Sequence, residues 1–350
     1  MTPKRWLLLF IRIVLIALIA CVLITYIVDP FFQFRVRDNQ YMISPRYCAA
    51  GLIKNYDYDT IIIGSSMTQN FNMEQFRTEL NCSPLHIGVG GTTDEELLDY
   101  ISLSNKTAKA DTYYICIDIA TFKQVSKSKA IDYLLRNDPM SLLQYSTSYE
   151  SWLRFLPIDV AFTLVKTLGI SSLDAYQDNI TVDRFGYWGS AHTYGPEVVL
   201  RGRETGEFKV SDVDTTDLYN IMVKGIDYFF SQLDLGNAEY HFFFPPYSSL
   251  FWCDAQEDGY FEIYLDAKDY FVERASEFGT TVYDFQTAEL TMDLNNYKDT
   301  THFAPAINDW MTSRFADKLD IVTPDNCSDY REKLLSNTTQ FRSEYAYLFA

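Results

Sequence analysis

Ser66 ends the run Thr60-Ile61-Ile62-Ile63-Gly64-Ser65-Ser66, a β-branched stretch entering a small, polar turn. Such a run reads as a buried strand, and a sharp turn at its end can expose a hydroxyl beside backbone N–H groups. A serine so placed is a candidate nucleophile when a base is within reach. Ser65 reads as the residue that shapes the turn. Far downstream, Asp299-Thr300-Thr301-His302 spaces a carboxylate and an imidazole three residues apart, with only four histidines in the chain. In one cleft, His302 could take the Ser66 proton while Asp299 fixes its tautomer and stabilises the imidazolium. The bland alternative is a solvated turn in which Asp299 caps and His302 is incidental. Gly91, at the end of Gly88-Val89-Gly90-Gly91, is a third element, because a residue without a side chain lets its N–H approach an oxyanion. The glycine spacing does not fit a dinucleotide-binding fingerprint, which excludes NAD and FAD on that motif.

The elements that must position these groups recur along the chain. Leu85-His86-Ile87 reads as a second strand, and Thr112 to Ile117 as a third, ending at Asp118. Between them, Asn72 and Thr93 are capping residues for helices over 72–80 and from 93 onward. Tyr240 to Phe244, stopped by Pro245-Pro246, and Thr281 to Phe285 supply two more strands, with helices at Leu218–Leu233, Tyr264–Phe278 and Ala306–Phe315. Strand–turn–helix units in succession predict an α/β fold: a parallel sheet flanked by helices. The stretch from about 125 to 237 is too long for an ordinary crossover and reads as an inserted cap. It holds helices near 130–134 and 149–167, the second interrupted at Pro157. Within it, Tyr187 and Trp188 are candidates for stacking on a sugar, or for packing the cap internally.

Leu7 to Val28 is apolar except for Arg12, Thr25 and Tyr26, and its 22 residues match a bilayer's hydrocarbon thickness. Lys4, Arg5 and Arg12 favour a cytoplasmic N-terminus, which puts the large domain outside. A cleaved signal peptide, or lipid attachment at Cys21 in Leu18-Ile19-Ala20-Cys21, would start in the same way. The apolar run continues past Cys21, which favours an intact single-pass anchor. The organisation read from sequence is therefore a cytoplasmic 1–6, an anchor at 7–28, a connector at 29–55, an extracytoplasmic domain at 56–322 and a polar tail at 323–350. A net charge of −18 without a dense basic stripe excludes nucleic acid as the main partner. The five cysteines beyond the anchor have no metal-ligand spacing, and no metal or organic cofactor is implied. One or two disulfides are chemically allowed outside the cell. Cys116, in a buried-strand pattern, reads as a small hydrophobe.

Together, the blocks 61–66, 86–91 and 299–302 resemble the SGNH/GDSL hydrolase superfamily, particularly membrane-anchored members similar to the D-alanyl transfer protein and to polysaccharide O-acetyltransferases. Ser66 stands at the family's nucleophile position, Gly91 at the final glycine of the second block, and Asp299 and His302 in the terminal Asp-x-x-His block. The resemblance covers about 57–124 and 239–319. It implies an SGNH (flavodoxin-like) three-layer sandwich and serine-dependent acyl transfer or deacylation, with an oxyanion hole from the Ser66 and Gly91 N–H groups. It also implies a cell-envelope polymer or a small acyl ester as substrate, and a multispanning membrane O-acyltransferase as partner. The chain departs from the family in two places. His86 replaces the second-block Asn, and Asp118 follows the third strand where Gly-x-Asn is expected. An ionised Asp118 cannot donate to an oxyanion, so it orients a backbone loop or contacts a polar substrate; His86 is a further candidate substrate contact. The alternatives are an esterase using water, and a noncatalytic glycan-binding or assembly protein on a degenerate SGNH fold.

Overall fold

The computed structural model describes residues 2–36, 44–123, 127–155, 187, 192–205 and 215–349. The chain divides into two compact units, one formed by 1–56 with 130–181, the other by 57–129 with 182–350.

In the first unit, helix α1 (Pro3–Val28) has 26 residues, about 39 Å of helix, and is long and apolar enough to cross a membrane. It begins four residues before the sequence boundary, because Pro3 suits the first turn of a helix. The segment after it is not a simple connector. Asp29, with φ 47°, turns the chain, and its carboxylate accepts the N–H groups of Gln33 (2.8 Å), Phe34 (2.9 Å) and Arg35 (3.0 Å). Helix α2 (Pro45–Asn55) then buries Cys48, Ala49, Ala50, Leu52 and Ile53. Gly51 is required there, since a Cβ would lie 2.0 Å from the Phe31 carbonyl oxygen.

The second unit holds one six-stranded sheet in the order β2-β1-β3-β4-β5-β6. Its elements run β1 (Thr60–Gly64), α3 (Met73–Leu80), β2 (Pro84–Gly88), α4 (Asp94–Thr107) and β3 (Thr112–Cys116). The chain then enters the first unit for α5 (Asp132–Leu135) and α6 (Pro139–Thr147). It returns for α7 (Pro196–Thr205), α8 (Leu218–Gln232), β4 (Glu239–Phe244), α9 (Ser249–Glu257), α10 (Phe261–Glu277), β5 (Thr281–Asp284), α11 (Pro305–Ala316), β6 (Ile321–Val322) and α12 (Cys327–Glu344). Strands β1 to β5 are parallel, and β6 pairs antiparallel to β5. The Asn72 and Thr93 side chains cap α3 and α4 as their positions predicted.

Both sheet faces are covered, as a parallel sheet requires. Alternate β4 residues point opposite ways. Phe242 packs on Phe229, Phe230 and Phe271 of α8 and α10, whereas Phe243 meets Phe71 and Phe315 beside α3 and α11. A buried ion pair, Lys268 Nζ to Asp284 Oδ2 at 2.7 Å, ties α10 to β5, with Gln286 Oε1 accepting a second bond at 2.6 Å.

Several boundaries differ from the sequence reading. Within the stretch read as an insertion, 130–181 groups with the N-terminal unit and 182–237 with the unit that holds the sheet. A π-helical turn occupies Glu150–Phe155, and the break at Pro157 lies outside the described residues. Cys116 is buried, as its strand pattern predicted, and none of the six cysteines is in a disulfide.

Candidate functional site

In the order β2-β1-β3-β4-β5, the chain direction across the sheet reverses between β1 and β3. In open parallel sheets this reversal leaves a crevice beyond the strands' C-terminal ends, where ligands bind. Ser66 leaves β1 and Asp118 leaves β3 at that crevice. The β1 exit is a tight turn into a short 3-10 helix, Ser66–Thr68, and it leaves no room at Gly64, where a Cβ would come within 2.4 Å of Thr68 and 2.6 Å of Cys116. Most of the turn is buried, yet Ser66 keeps part of its surface open. From behind, Asn308 of α11 donates its Nδ2 to the Met67 carbonyl at 3.1 Å.

Residues Lys298 to His302 form a loop closed at its base by the Tyr297–Phe303 bridge and by Lys298 N donating to the His302 carbonyl at 3.0 Å. The β4 exit holds it. Ser248 donates from N and Oγ to the Thr300 carbonyl (3.1 and 2.7 Å), and the Tyr297 hydroxyl donates to the Pro246 carbonyl (2.8 Å). Thus two strand exits, from β1 and β4, bring together residues 236 positions apart: Ser66 Oγ lies 2.7 Å from His302 Nε2. His302 Nδ1 lies 2.8 Å from Asp299 Oδ2 and 3.0 Å from Oδ1. With Nδ1–H directed at the carboxylate, Nε2 is left as the acceptor for the serine proton.

Asp299 is almost fully buried. Burial alone would raise its pKa, but the bond from the His302 ring, the charge of that ring and the N–H groups of His302 (2.7 Å) and Thr301 (2.9 Å) outweigh it. The carboxyl is held below its usual value. The group is therefore an anion fixed in place, not a solvated turn residue.

Gly91 has φ +64°, a conformation that favours glycine, and it is exposed just beyond β2. The β1 and β2 exits run side by side: Gly64 pairs with Gly88, Val89 N donates to the Gly64 carbonyl (2.9 Å), and Gln69 Nε2 donates to the Gly88 carbonyl (3.3 Å). Lys129 Nζ donates to the Gly91 carbonyl at 3.0 Å.

Asp118 accepts the Ser65 hydroxyl at 2.7 Å on Oδ2, bridging the β1 and β3 exits. Burial raises its pKa, opposed by that bond and by the nearby His302. Asp94, at the start of α4, is pushed up to about 6 by burial, despite a bond from Thr121. His86 is wholly buried beneath the crevice floor, where a Cβ on Gly88 would fall 2.6 Å from its Nε2. Desolvation depresses its pKa to about 3, outweighing the opposing interaction of the ring with the Thr68 backbone, so the ring is neutral. With no exposed surface, it supports the floor and cannot touch a bound molecule, contrary to the sequence expectation. Tyr187 is half-exposed, and Trp188 lies outside the described residues.

Three further groups near the crevice were not singled out from sequence: Ser65's contact with Asp118, the Lys129 amine and His192. His192 is electrostatically coupled to Lys298, His302 and Asp299, and its pKa is lowered chiefly by desolvation. Scarcity of histidine was the only sequence signal for it. Among the described residues, no three His, Cys, Asp or Glu side chains gather as a metal-ligand set. No family model and no curated protein sequence matches the chain.

Proposed function

We propose that the crevice performs serine-dependent acyl transfer on a cell-envelope polymer, on a fold of the SGNH (flavodoxin-like) type. The carrying observation is the continuous Ser66–His302–Asp299 chain, with 2.7 and 2.8 Å links and a carboxylate held ionised. Ser66 Oγ attacks the acyl carbon of an ester or thioester while His302 Nε2 takes its proton, and Asp299 stabilises the imidazolium. The N–H groups of Ser66 and Gly91 receive the oxyanion. The imidazolium returns its proton to the departing alkoxide or thiolate, and an acceptor hydroxyl then resolves the acyl-serine with His302 as base.

The order of the three blocks and their strand contexts support the likeness to membrane-anchored SGNH/GDSL proteins. Helix α1 supports a single-pass anchor, and Lys4, Arg5 and Arg12 favour a domain outside the cytoplasm. Tethering beside a multispanning O-acyltransferase would raise the local concentration of donor. Asp118, standing where an amide donor is expected, favours a second reading: a noncatalytic glycan-binding or assembly protein.

Mass spectrometry of the full-length protein after exposure to an activated acyl ester separates these readings. A covalent acyl adduct on Ser66 that decays on adding acceptor, and is absent in S66A, is the expected result. No adduct on a folded protein would overturn the catalytic reading. Decay in water alone at the same rate as with polymer would assign an esterase.

A further inference from the structure

Within the N-terminal unit, the last turns of α1 are not bare. Cys21 and Val22 are half-buried, Thr25 is fully buried and Val28 is half-buried, whereas Leu23, Ile24, Tyr26 and Ile27 are exposed. The covered positions fall at i, i+1, i+4 and i+7, one face of the helix over its final two turns. Helix α6 packs on α1, and Thr25 Oγ1 donates to the Ser146 carbonyl at 3.3 Å. The Asp29 carboxylate accepts the Tyr145 hydroxyl at 2.8 Å, and the same hydroxyl accepts Phe31 N at 3.2 Å. Helix α6 is therefore fixed to the anchor at and below its exit.

The level of the membrane boundary is marked independently. Arg35 Nη2 donates to the carbonyls of Tyr26 (2.7 Å) and Ile27 (2.9 Å), and its guanidinium lies 4.8 Å from the Tyr26 ring centre. An arginine–tyrosine pair at the end of a spanning helix belongs at the headgroups. The covered face of α1, from Val28 back to Cys21, spans about 10 Å at helical rise, and α6 meets it at Thr25.

The outward face of α6 carries Met140, 67% exposed, and Leu143, 41% exposed, followed by Gln144 and Thr147; Tyr149 beyond the helix is 65% exposed. Water would solvate Met140, Leu143 and Tyr149 poorly, and the helix that carries the first two packs on α1, the helix long and apolar enough to span a bilayer. We propose that residues 139–149 form an interfacial foot, seated in the leaflet that α1 enters at its C-terminal end, with Met140, Leu143 and Tyr149 in contact with lipid. The foot rests on α1 spanning a bilayer and is independent of the acyl-transfer reading. It makes the anchor a fixed joint for its own unit instead of a free tether.

Photoreactive benzoylphenylalanine placed at Met140, Leu143, Ile19 or Asp132, in the full-length chain reconstituted into phosphatidylcholine–phosphatidylglycerol vesicles, tests this. Ile19 is an exposed anchor position, and Asp132 is charged and exposed in the same unit. Lipid adducts at 140 and 143 at least about fivefold above those at 132, and comparable to those at 19, are expected. Adducts at 140 and 143 no higher than at 132 would overturn the foot. So would cross-links at those positions to a second copy of the chain in place of lipid. Absence of adducts at 19 as well would remove the bilayer on which the proposal stands.

Discussion

The two ends of the same sheet each carry a histidine beside a carboxylate, and only one has the geometry of a reaction. At the C-terminal end, His302 sits between Asp299 and Ser66, every link at 3.0 Å or less. At the N-terminal end, His241 Nε2 lies 3.2 Å from Glu239, in a groove of about 440 Å³ lined also by Asp59, Asp111, Cys82 and Lys318. The groove is roomy, but its chemistry is poor. The Glu239 side chain is 64% exposed, so water competes for it. Cys82 donates toward the Phe76 carbonyl, and burial raises its thiol pKa, which keeps it protonated and unreactive. Cavity size does not single out the candidate site; the aligned serine, imidazole and buried carboxylate at the sheet's reversal point do, and the proposed reaction is placed there.

The sharpest way to break this comparison is to remove the proposed nucleophile. S66A is expected to lower turnover of an activated ester by about 10³-fold or more, leaving only the residual effect of binding and oxyanion donors. A smaller loss, under about tenfold, would move the chemistry elsewhere. D299N should cost about 10²- to 10⁴-fold, since an amide can hold the ring in the wrong tautomer and cannot stabilise the imidazolium. Rate measurements against pH should show D299N low throughout. Because the folded state holds the Asp299 carboxyl below its usual value, wild type should also lose stability as acid protonates it, and D299N should lack that component.

The strands, caps and triad candidates were legible because each leaves a local mark. Thr60–Ile63 has β-branched residues before a glycine turn, Asn72 and Thr93 precede helical spacing, and Asp299 and His302 sit three apart. What was not legible depends on contacts distant in sequence. The Ser65–Asp118 bond joins residues 53 positions apart, so the sequence reading of Asp118 as a residue that orients a loop or contacts a polar substrate did not name Ser65 as its partner. Strand β6 has two residues, too short for a period. Helix α2 looked like a connector because its buried residues are small or interrupted by glycine. Helix α9 was hidden behind Pro245-Pro246, although Ser248 caps it by accepting Phe251 N.

Asp118 and His86 sharpen the comparison at the same end of the sheet without touching the proton path. D118N keeps an oxygen to accept Ser65 and removes the charge. It should alter turnover by at most about tenfold and flatten the part of the pH–rate profile that reports the Asp118 carboxyl, whose pKa is raised. His86 governs stability. Its folded pKa of about 3 lies below the usual 6.5, so the unfolded chain binds the extra proton and wild-type stability falls as pH drops through that window. In H86N, urea unfolding should show the stability gap to wild type shrinking by about 2 kcal/mol between pH 7 and pH 5. A constant gap would mean that His86 accepts a proton in the folded protein.

The smallest effect is expected at the far end. H241A removes an imidazole that is mostly buried and stacked on Tyr114 at 4.7 Å, so some stability is lost with the packing. Its pKa is lowered chiefly by desolvation, with Glu239 opposing, so the ring contributes as a neutral aromatic surface. Turnover in H241A, measured below the unfolding transition, should stay within about twofold of wild type, since no group of the Ser66–His302–Asp299 chain contacts it. E239Q should change still less, because the carboxylate it removes is largely hydrated. A loss in H241A as large as that in S66A, at full folding, would require chemistry at both ends of the sheet and would end the distinction between them.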